Sequence, residues 1–363
     1  MQNNRPLVSI IVVSFNEIDK IGDCLSDISA QTYLNYEVLV YDNASSDGTP
    51  EYIEQSFPQV KLIKGTENLG FGGANNRASE QARGKYLAFV NDDAYVTPNW
   101  LEPLVNLLEM DKTVGCAGAE LLCTEKEKRN IVLCHGNDIH LSGIAYLKNN
   151  GQIAKPVGPI EAGAISGAAF VIRRELFLEI GGFESDFFLY YEDTDLSLRL
   201  RLIGKRCIVI PGSVVYHNSE PRFGAQKLFF LERNRYLSLF TLMNTKMLAL
   251  MAPSMLMFEL ISWGYCLIRG KEAIISKAKS WQAICSKRHW IMARRRRQHS
   301  VMQKVSTDFL LQAFTPHIYI NYVNANKILG KISWFLGYLT SIPVFLFFAL
   351  FRTLFFTKNN QGR

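Results

Sequence analysis

Two acidic clusters in this sequence have the residue types and spacing that chemistry requires. The first is Asn91, Asp92 and Asp93, which follow the apolar run YLAFV. Adjacent carboxylates at the end of a buried strand repel each other unless a cation offsets the cost. Oxygen ligands favour Mg²⁺ or Mn²⁺, which would bridge to a diphosphate. The alternative is a solvated loop whose acids cap the next helix.

The second cluster is Glu192, Asp193 and Asp195, inside the aromatic stretch FFLYYEDTDLSLRL. Apolar surroundings raise the pKa of carboxyl groups, which is typical of a general base. Acids also suit the first turn of a helix, where the dipole favours negative charge, and Arg199 stands four residues after Asp195. Both interpretations hold together if Asp195 orients the site while Asp193 does chemistry.

Three further features stand next to predicted strands. Asp42 precedes the turn SSDGT, where its carboxylate can accept the ring N–H of uracil or thymine, or act as an ordinary helix cap. The segment NLGFGGANN (68–76) opens a helix whose bare backbone amides suit a diphosphate. It is not the dinucleotide fingerprint, which requires GxGxxG after the first strand. His217 ends an apolar strand; this is usually structural, but a neutral imidazole is a competent metal ligand if Asp93 is near.

The elements that must position these residues alternate between strand and helix. Strands are predicted at 7–13, 36–42, 61–65 and 84–92, with amphipathic or capped segments between them. This alternation predicts an α/β fold with a doubly wound, mostly parallel sheet. Ligands of such sheets bind at the carboxyl ends of the strands, which is where SFNE, DNASSDGT and NDDA fall.

Seven motifs follow one another over roughly residues 7–240: SIIVVSFNE, DNASSDGT, NLGFGGANN, FVNDD, SGAAFVIRRE, YEDTDLSLRL and VVYHN. Together they resemble the family-two inverting glycosyltransferases of GT-A fold, especially the bacterial rhamnosyltransferase-like branch. The resemblance implies a GT-A catalytic domain over 1–240, with a nucleotide-sugar-binding half (1–113) and an acceptor and catalytic half (114–240). A helical, basic, membrane-associating region is expected over 241–363.

The resemblance also implies roles for individual residues. Asp193 is expected to be the base, with Glu192 as the next candidate, and Asp93 and His217 are expected to hold a divalent cation, Mg or Mn. Asn91 departs from the DxD pattern because it offers only a neutral carbonyl oxygen. The predicted donor-binding residues are Asn16, Asp42, Asn43, Asn68, Gly70, Asn91, Asp92, Arg233 and Arg235. The two arginines would bind the diphosphate, and the alternative for them is a charged helix surface.

The reaction implied by the resemblance moves a sugar, with rhamnose favoured, from a uridine or thymidine diphosphate-sugar to a lipid-linked (polyprenyl diphosphate) saccharide acceptor. The five tryptophans lie outside any QxxRW motif, which is typical of processive synthases, so we expect one sugar per encounter. The alternatives are transfer of another hexose (glucose, galactose or N-acetylglucosamine) and a non-catalytic, membrane-bound nucleotide-sugar scaffold.

Charge divides the chain into two parts. Residues 1–245 carry 23 Lys and Arg against 30 Asp and Glu, whereas residues 246–363 carry 17 against 3. A basic tail suggests nucleic acid or an anionic membrane as its partner. Nucleic acid is disfavoured because the run Arg294–Arg297 abuts apolar segments instead of an exposed aromatic platform. The seven cysteines form no CxxC pair and predict free thiols in a reducing compartment.

Two apolar stretches, 247–268 and 332–356, are long enough to cross a membrane. Residues 269–331 between them carry 13 Lys and Arg against 2 acids, so the positive-inside rule keeps them cytoplasmic. We therefore expect 247–268 to lie in the interface or to re-enter, the alternative being a buried helix of the soluble body. The stretch 332–356 either spans once or inserts as a hairpin. The N-terminus has no signal-peptide pattern, which predicts a protein on the cytoplasmic face of the cell membrane.

Overall fold

The computed structural model describes residues 5–217, 224–286 and 305–316 of the chain. They divide into two compact units, one over 5–137, 147–217 and 305, the other over 138–146, 224–286 and 306–316. The boundary differs from the predicted one at 240 because the helix Ala225–Leu242 packs with later helices. The predicted segment 332–356 lies outside the described residues.

The first unit is built on one mixed sheet. The strands of the described chain are β1 (Val8–Ser14), β2 (Tyr36–Asp42), β3 (Lys61–Lys64), β4 (Tyr86–Asn91), β5 (Ala94–Val96), β6 (Val114–Leu122), β7 (Val132–Cys134), β8 (Asn137–His140), β9 (Ala145–Leu147), β10 (Ile160–Ala162), β11 (Ala169–Arg173), β12 (Arg206–His217) and β13 (Phe314–Thr315). The sheet order is β10-β12-β6-β11-β4-β1-β2-β3, with β5 beside β12 and β7 beside β6. Strands β8, β9 and β13 form a separate small sheet.

Strand direction bears out the prediction of a mostly parallel sheet. β3, β2, β1 and β4 are parallel neighbours, and β6 and β12 run the same way. β11 runs against both β4 and β6 and so joins the two parallel groups. Because β11 is reversed, its first residues lie at the carboxyl end of β4, where the Asn91 amide donates to the Ala168 carbonyl oxygen at 2.9 Å.

Helices cover both faces of the sheet. The helices of the described chain are α1 (Ile18–Ser29), α2 (Thr49–Ser56), α3 (Gly70–Glu80), α4 (Leu101–Met110), α5 (Arg174–Glu179), α6 (Glu192–Leu202), α7 (Ala225–Leu242), α8 (Thr245–Arg269), α9 (Lys271–Ile284) and α10 (Thr307–Leu311). Leucines and isoleucines of α1 and α4 pack on one face of the sheet. Side chains of α3, α5 and α6 pack on the other, around the stacked rings of Phe89 and Phe170. This doubly wound arrangement holds the strand ends rigidly.

The second unit contains α7, α8, α9 and α10. Helix α8, with a mean hydropathy of 1.4 in its most apolar window, is long and apolar enough to cross a membrane by length and composition. Only 33% of that window is buried. Its N-terminus is capped by Asn244, whose side-chain oxygen accepts from the Met247 amide at 2.8 Å. The described part of 241–363 is mostly helical, as the sequence predicts, with the short strand β13 as an exception.

Candidate active site

The candidate active site lies along the carboxyl edge of the sheet in the first unit. The last residues of β1 and β2, Ser14 and Asp42, stand opposite each other, and Val13 stands opposite Asn91 of β4. His217, the last residue of β12, pairs with Ala94 of β5. Side chains far apart in sequence are therefore brought to one edge by strand register.

Asp42 is buried at this edge with one oxygen engaged and one unengaged. Its Oδ2 accepts from the Ser45 amide at 3.1 Å, as in an Asx turn. Its Oδ1 is buried and has no hydrogen-bond partner among the described residues. A buried carboxylate oxygen without a donor is costly, so it fits a site that a ligand N–H completes.

Asn16 and Asn43 shape the loops around Asp42. The Asn16 side-chain oxygen accepts from the Ser46 backbone amide at 2.8 Å. The Asn16 backbone amide donates to the Ser45 hydroxyl at 2.9 Å. Asn16 adopts a left-handed φ of 56°, a conformation that asparagine tolerates better than most residues. The Asn43 backbone amide donates to the Ser14 carbonyl oxygen at 2.8 Å. Both asparagines were predicted to bind the donor, and in the structure these hydrogen bonds hold the loops around Asp42 together.

The prediction of bare amides at the start of α3 was wrong. The Leu69 amide donates to Asn43 Oδ1 and the Gly70 amide to Asn68 Oδ1, each at 2.8 Å. The Phe71 amide donates to the Phe188 carbonyl oxygen, also at 2.8 Å. These amides are satisfied by protein oxygens, so the helix start does not offer them to a phosphate. Asn68 and Gly70 instead join the donor-side loop to the segment that precedes α6.

Asn91, the last residue of β4, and Asp92, which follows it, are half-buried. Asn91 Oδ1 is buried and lacks a hydrogen-bond partner in the described chain. Burial, followed by the charges of Asp93 and Glu17, raises the pKa of Asp92 to about 7. The acids therefore repel one another here, as the sequence predicted, and a cation in the site would relieve that repulsion.

Asp93 and His217 meet across the β5–β12 pair. His217 Nε2 lies 3.2 Å from Asp93 Oδ1. Burial alone would raise the pKa of Asp93, but the hydrogen bond and charge of His217 outweigh it and the pKa is lowered. Within the described ranges, no three His, Cys, Asp or Glu side chains converge on one point. Asp93 Oδ1 and His217 Nε2 are the protein groups here that would hold a divalent cation.

Asp193 lies in the first turn of α6 and is held by three donors. Its Oδ2 accepts from the Gly167 amide at 2.9 Å. Its Oδ1 accepts from the Thr194 amide at 2.6 Å and from the Thr194 hydroxyl at 3.2 Å. Burial raises the pKa of Asp193, while these donors act to lower it. The carboxylate is fixed in place, and its pKa is raised overall because the effect of burial exceeds that of the donors.

Glu192 has different surroundings. Burial, then the charges of Asp193 and Asp195, raise its pKa to about 8. Its Oε2 is buried and makes no hydrogen bond to any described residue. Since hydrogen-bond donors stabilise charge on Asp193 and none reaches Glu192 Oε2, the proton of this pair sits on Glu192 at neutral pH.

The segment before Glu192 is held in an unfavourable backbone conformation. Phe188, Tyr190 and Tyr191 have φ values of 64°, 65° and 77°. Non-glycine residues in this region cost about 1–3 kcal/mol each and cluster at functional sites. Contacts with α3 hold the segment, which fixes where α6 begins and therefore where Asp193 lies.

The two predicted arginines lie in the second unit. Arg235 is buried and donates to the Ser142 carbonyl oxygen at 2.7 Å and to both oxygens of Glu232 at 3.0 and 3.1 Å. Arg233 is also buried and packs over the Phe229 and Phe230 rings. Because both arginines are buried, neither belongs to a charged helix surface, which was the alternative prediction for them. Arg235 directs these donors to a carbonyl oxygen and a buried carboxylate, and its role in diphosphate binding stays a prediction.

Sequence reasoning missed two residues that hold the base. Gly167 and Thr194 donate to Asp193, and a Cβ on Gly167 would lie 3.6 Å from Asp193 Oδ2. The motif SGAAF was noted in the sequence, but no sequence pattern shows that the backbone amide of its glycine, Gly167, donates to Asp193. The Thr194 hydroxyl, next to the acid, was the signal available.

Residues 9–181 match the family model described as glycosyl transferase family 2. This domain belongs to that family. The match runs from β1 to the end of α5 and so includes Asp42, Asp93 and Gly167, while Asp193 and His217 follow it. The first unit has the mixed sheet and covering helices of the GT-A fold.

Named relatives agree with this assignment. The chain is 30% identical over 230 residues to the O-antigen biosynthesis protein RfbC of Myxococcus xanthus, matching 60% of this chain and 18% of the relative. It is 31% identical to an uncharacterized protein of Sinorhizobium fredii, matching 25% of that relative's length. The chain thus spans a quarter or less of these two relatives. It is 26% identical to an N-acetylglucosaminyl-diphospho-decaprenol L-rhamnosyltransferase of Mycobacterium tuberculosis, over 58% of this chain and 76% of that one.

Solved structures share the fold. The crystal structure of GalNAc-T7 with UDP, GalNAc and Mn²⁺ has a TM-score of 0.59 and 18% identity over 70% of this chain and 51% of its own. Staphylococcus aureus TarS has a TM-score of 0.52 and 16% identity, covering 82% of this chain and 53% of its own. At such identities the likeness concerns the architecture alone.

Proposed function

We propose that this glycosyltransferase is an inverting, metal-dependent, non-processive enzyme of cell-surface polysaccharide synthesis. It moves a sugar, with rhamnose favoured, from a uridine or thymidine diphosphate-sugar to a lipid-linked saccharide acceptor. The observation that carries the proposal is the fixed, charged Asp193 carboxylate in a unit whose strand edge also holds Asp42 and the Asp93–His217 pair. These groups correspond to a base, a nucleobase contact and a cation anchor.

The reaction is a single displacement. Asp193 accepts the proton of an acceptor hydroxyl, and the resulting oxygen attacks the anomeric carbon opposite the leaving nucleotide, which inverts the configuration. The three donors on Asp193 orient its oxygens before the acceptor arrives, so little reorganisation is needed. Glu192 remains neutral and does not compete for the proton.

The donor is bound through its base and its diphosphate. The unpartnered Oδ1 of Asp42 accepts a ring N–H, which uracil and thymine offer at N3. Asp93 and His217 would hold the divalent cation, with the oxygens of Asn91 and Asp92 nearby in sequence. When bound, the cation neutralises the charge that grows on the leaving diphosphate.

Acceptor and sugar are proposed from the relatives. The name of the mycobacterial relative states a lipid diphosphate acceptor and L-rhamnose, and the Myxococcus relative is named for O-antigen biosynthesis. Transfer of glucose, galactose or N-acetylglucosamine is the second candidate, because nothing at Asp42 or Asp193 selects the sugar. A non-catalytic scaffold is disfavoured by the three hydrogen bonds that orient Asp193.

The first prediction concerns the base. Asp193→Asn preserves shape but cannot take the proton, so turnover should fall by about two to four orders of magnitude while donor affinity stays unchanged. Membranes containing each variant are incubated with radiolabelled uridine, thymidine and guanosine diphosphate-sugars and a polyprenyl diphosphate N-acetylglucosamine acceptor. Glu175→Gln, an exposed acid on α5, is the control. Turnover above a tenth of wild type in Asp193→Asn would refute the role, and transfer from guanosine diphosphate-mannose would refute the pyrimidine donor.

The second prediction concerns the cation. A chelator should abolish transfer, and Mg²⁺ or Mn²⁺ should restore it. His217→Ala should raise the half-saturating metal concentration by about tenfold or more, because it removes one of the two protein groups that anchor the ion. Metal titrations of wild type and variant in the same transfer assay measure this. Full activity in excess chelator would exclude the cation site.

A further inference from the structure

Helix α8 has two faces of opposite character. Its outer face exposes large apolar side chains: Leu256 is 66% exposed, Leu260 62%, Leu267 68% and Ile268 87%. Residues 256, 260 and 267 share one side because their spacings of four and seven are helical periods. Ile275 of α9 is also exposed. Apolar exposure of this density on one helix marks an interaction surface.

The opposite face of α8 is tied to its neighbours by charge. Glu259 accepts from the Tyr236 hydroxyl and the Trp281 indole N–H at 2.7 Å and from Lys277 Nζ at 3.0 Å. Lys277 is fully buried and also donates to Glu232 of α7 and, at 2.8 Å, to Ser262 of α8. Moving α8 away from α7 and α9 would remove the hydrogen-bond donors of the Glu259 carboxylate on both helices and leave that charge without a partner.

This network argues against α8 as a membrane span. A spanning helix would have to leave α7 and α9 and carry Glu259 into the hydrocarbon, where unpaired acids are expensive. A helix that keeps its inner face on α7 and α9 can still bury its outer face a few ångströms deep in a bilayer. The geometry therefore favours a helix that lies on the membrane over a helix that crosses it.

The charges around the outer face fit an anionic lipid surface. Arg269 is exposed at the end of α8. Two further basic residues, Lys271 and Lys279, are exposed on α9. The sequence from 269 to 331 carries 13 Lys and Arg against 2 acids. Basic residues near apolar side chains at a helix end are the pattern that binds anionic headgroups.

We propose that the outer face of α8 (Leu256, Leu260, Leu267 and Ile268), with Ile275 of α9, is a membrane-docking face that inserts into the surface of an anionic bilayer. The proposal rests on the proposed function at a lipid-linked acceptor and on the membrane association expected from the sequence, and it names the residues that would make the attachment. The inner network of Glu259 and Lys277 keeps the three helices together while the outer side chains enter the lipid.

The test uses the full chain with one environment-sensitive fluorophore. Leu260→Cys is labelled in a Cys285→Ser background, because Cys285 is the exposed native thiol. The control label is at Met110→Cys, a residue 86% exposed on α4 of the other unit. Vesicles of phosphatidylcholine with phosphatidylglycerol should shift the emission at 260 to the blue and allow quenching by brominated lipid. The label at 110 should not respond, and vesicles of phosphatidylcholine alone should give a smaller shift at 260.

Two results would overturn the docking face. One is a full chain that sediments with the anionic vesicles while the label at 260 stays in water. The other is a label already shielded before vesicles are added, which would mean that protein covers the face. As a second variant, Leu256→Ser with Leu260→Ser should weaken vesicle partitioning by about tenfold or more, and Met110→Ser should not. No sugar transfer is measured, so a failed transferase assay leaves these outcomes unaffected.

Discussion

Glu192 and Asp193 are neighbours in the sequence, but their carboxyl groups have different partners. Asp193 accepts three hydrogen bonds, whereas Glu192 Oε2 accepts none from the described residues. Two adjacent buried carboxyls cannot both be charged cheaply. The two carboxyls therefore differ: burial and the neighbouring charges raise the pKa of Glu192 to about 8, whereas hydrogen-bond donors oppose the raised pKa of Asp193.

The third prediction follows from the raised pKa of Glu192, which is about 8 in the folded protein against 4.5 ordinarily. The folded state binds a proton that the unfolded state releases, so the stability from this group is complete below pH 4.5 and is lost as pH rises to about 8. Glu192→Gln cannot ionise and escapes that loss. Its melting temperature should match wild type near pH 4.5 and exceed it by about 3 °C or more near pH 8.

Thermal unfolding across this pH range measures the difference, and Glu175→Gln serves as the exposed control. Glu192→Gln should also keep most of its turnover at neutral pH, since a neutral side chain replaces a neutral acid. A melting difference independent of pH would show that Glu192 is ionised in the folded protein. Loss of turnover comparable to Asp193→Asn would make Glu192 the base.

At the scale of elements, the start of α3 and the segment before α6 behave as one piece. Gly70 has a φ of 70°, and a Cβ there would lie only 2.2 Å from the Phe188 carbonyl oxygen. The next residue, Phe71, donates its amide to that same oxygen. The side-chain amide of Asn43, the residue after Asp42, donates a hydrogen bond to the side-chain oxygen of Asn68 at the start of this turn. The Asp42 side of the site is thus connected to the helix that carries Asp193.

The fourth prediction tests that connection. Gly70→Ala must displace Phe188, and with it the first turn of α6, so turnover should fall by about tenfold to a hundredfold while donor binding changes little. Steady-state kinetics and nucleotide titration measure the two effects. Gly158→Ala is the control, because a Cβ at Gly158 meets nothing within 4 Å. Unchanged turnover and melting temperature in Gly70→Ala would refute the connection.

The strand-end motifs were predictable and the helix start was not, for a physical reason. Apolar runs such as Tyr36–Asp42 and Arg206–His217 specify strands locally, so the sequence located them to the residue. Whether an amide at α3 is bare depends on a distant acceptor, here the Phe188 carbonyl, which no local pattern reveals. The same applies to Arg235, whose partners Ser142 and Glu232 are assembled by packing.

At the scale of the molecule, the sequence separates an acidic body from a basic tail, and the two compact units of the described chain divide before helix α7 instead of at 240. The motif ERNRYL of helix α7 carries charge. In the structure those charges are buried, and Glu232 accepts from both Arg235 and Lys277. Buried pairing of this kind depends on how distant helices pack, so the pattern of charge along the sequence does not reveal it.

The exposed leucines of α8 have a consequence for kinetics. An enzyme held at a bilayer by this face meets a lipid-linked acceptor by lateral diffusion, so the encounter rate depends on acceptor per unit of membrane area. Adding inert lipid at constant total acceptor would then slow transfer, although every bulk concentration is unchanged. Surface dilution of this kind makes the relevant KM for the acceptor a mole fraction in the membrane, while the KM for the water-soluble donor remains a molarity.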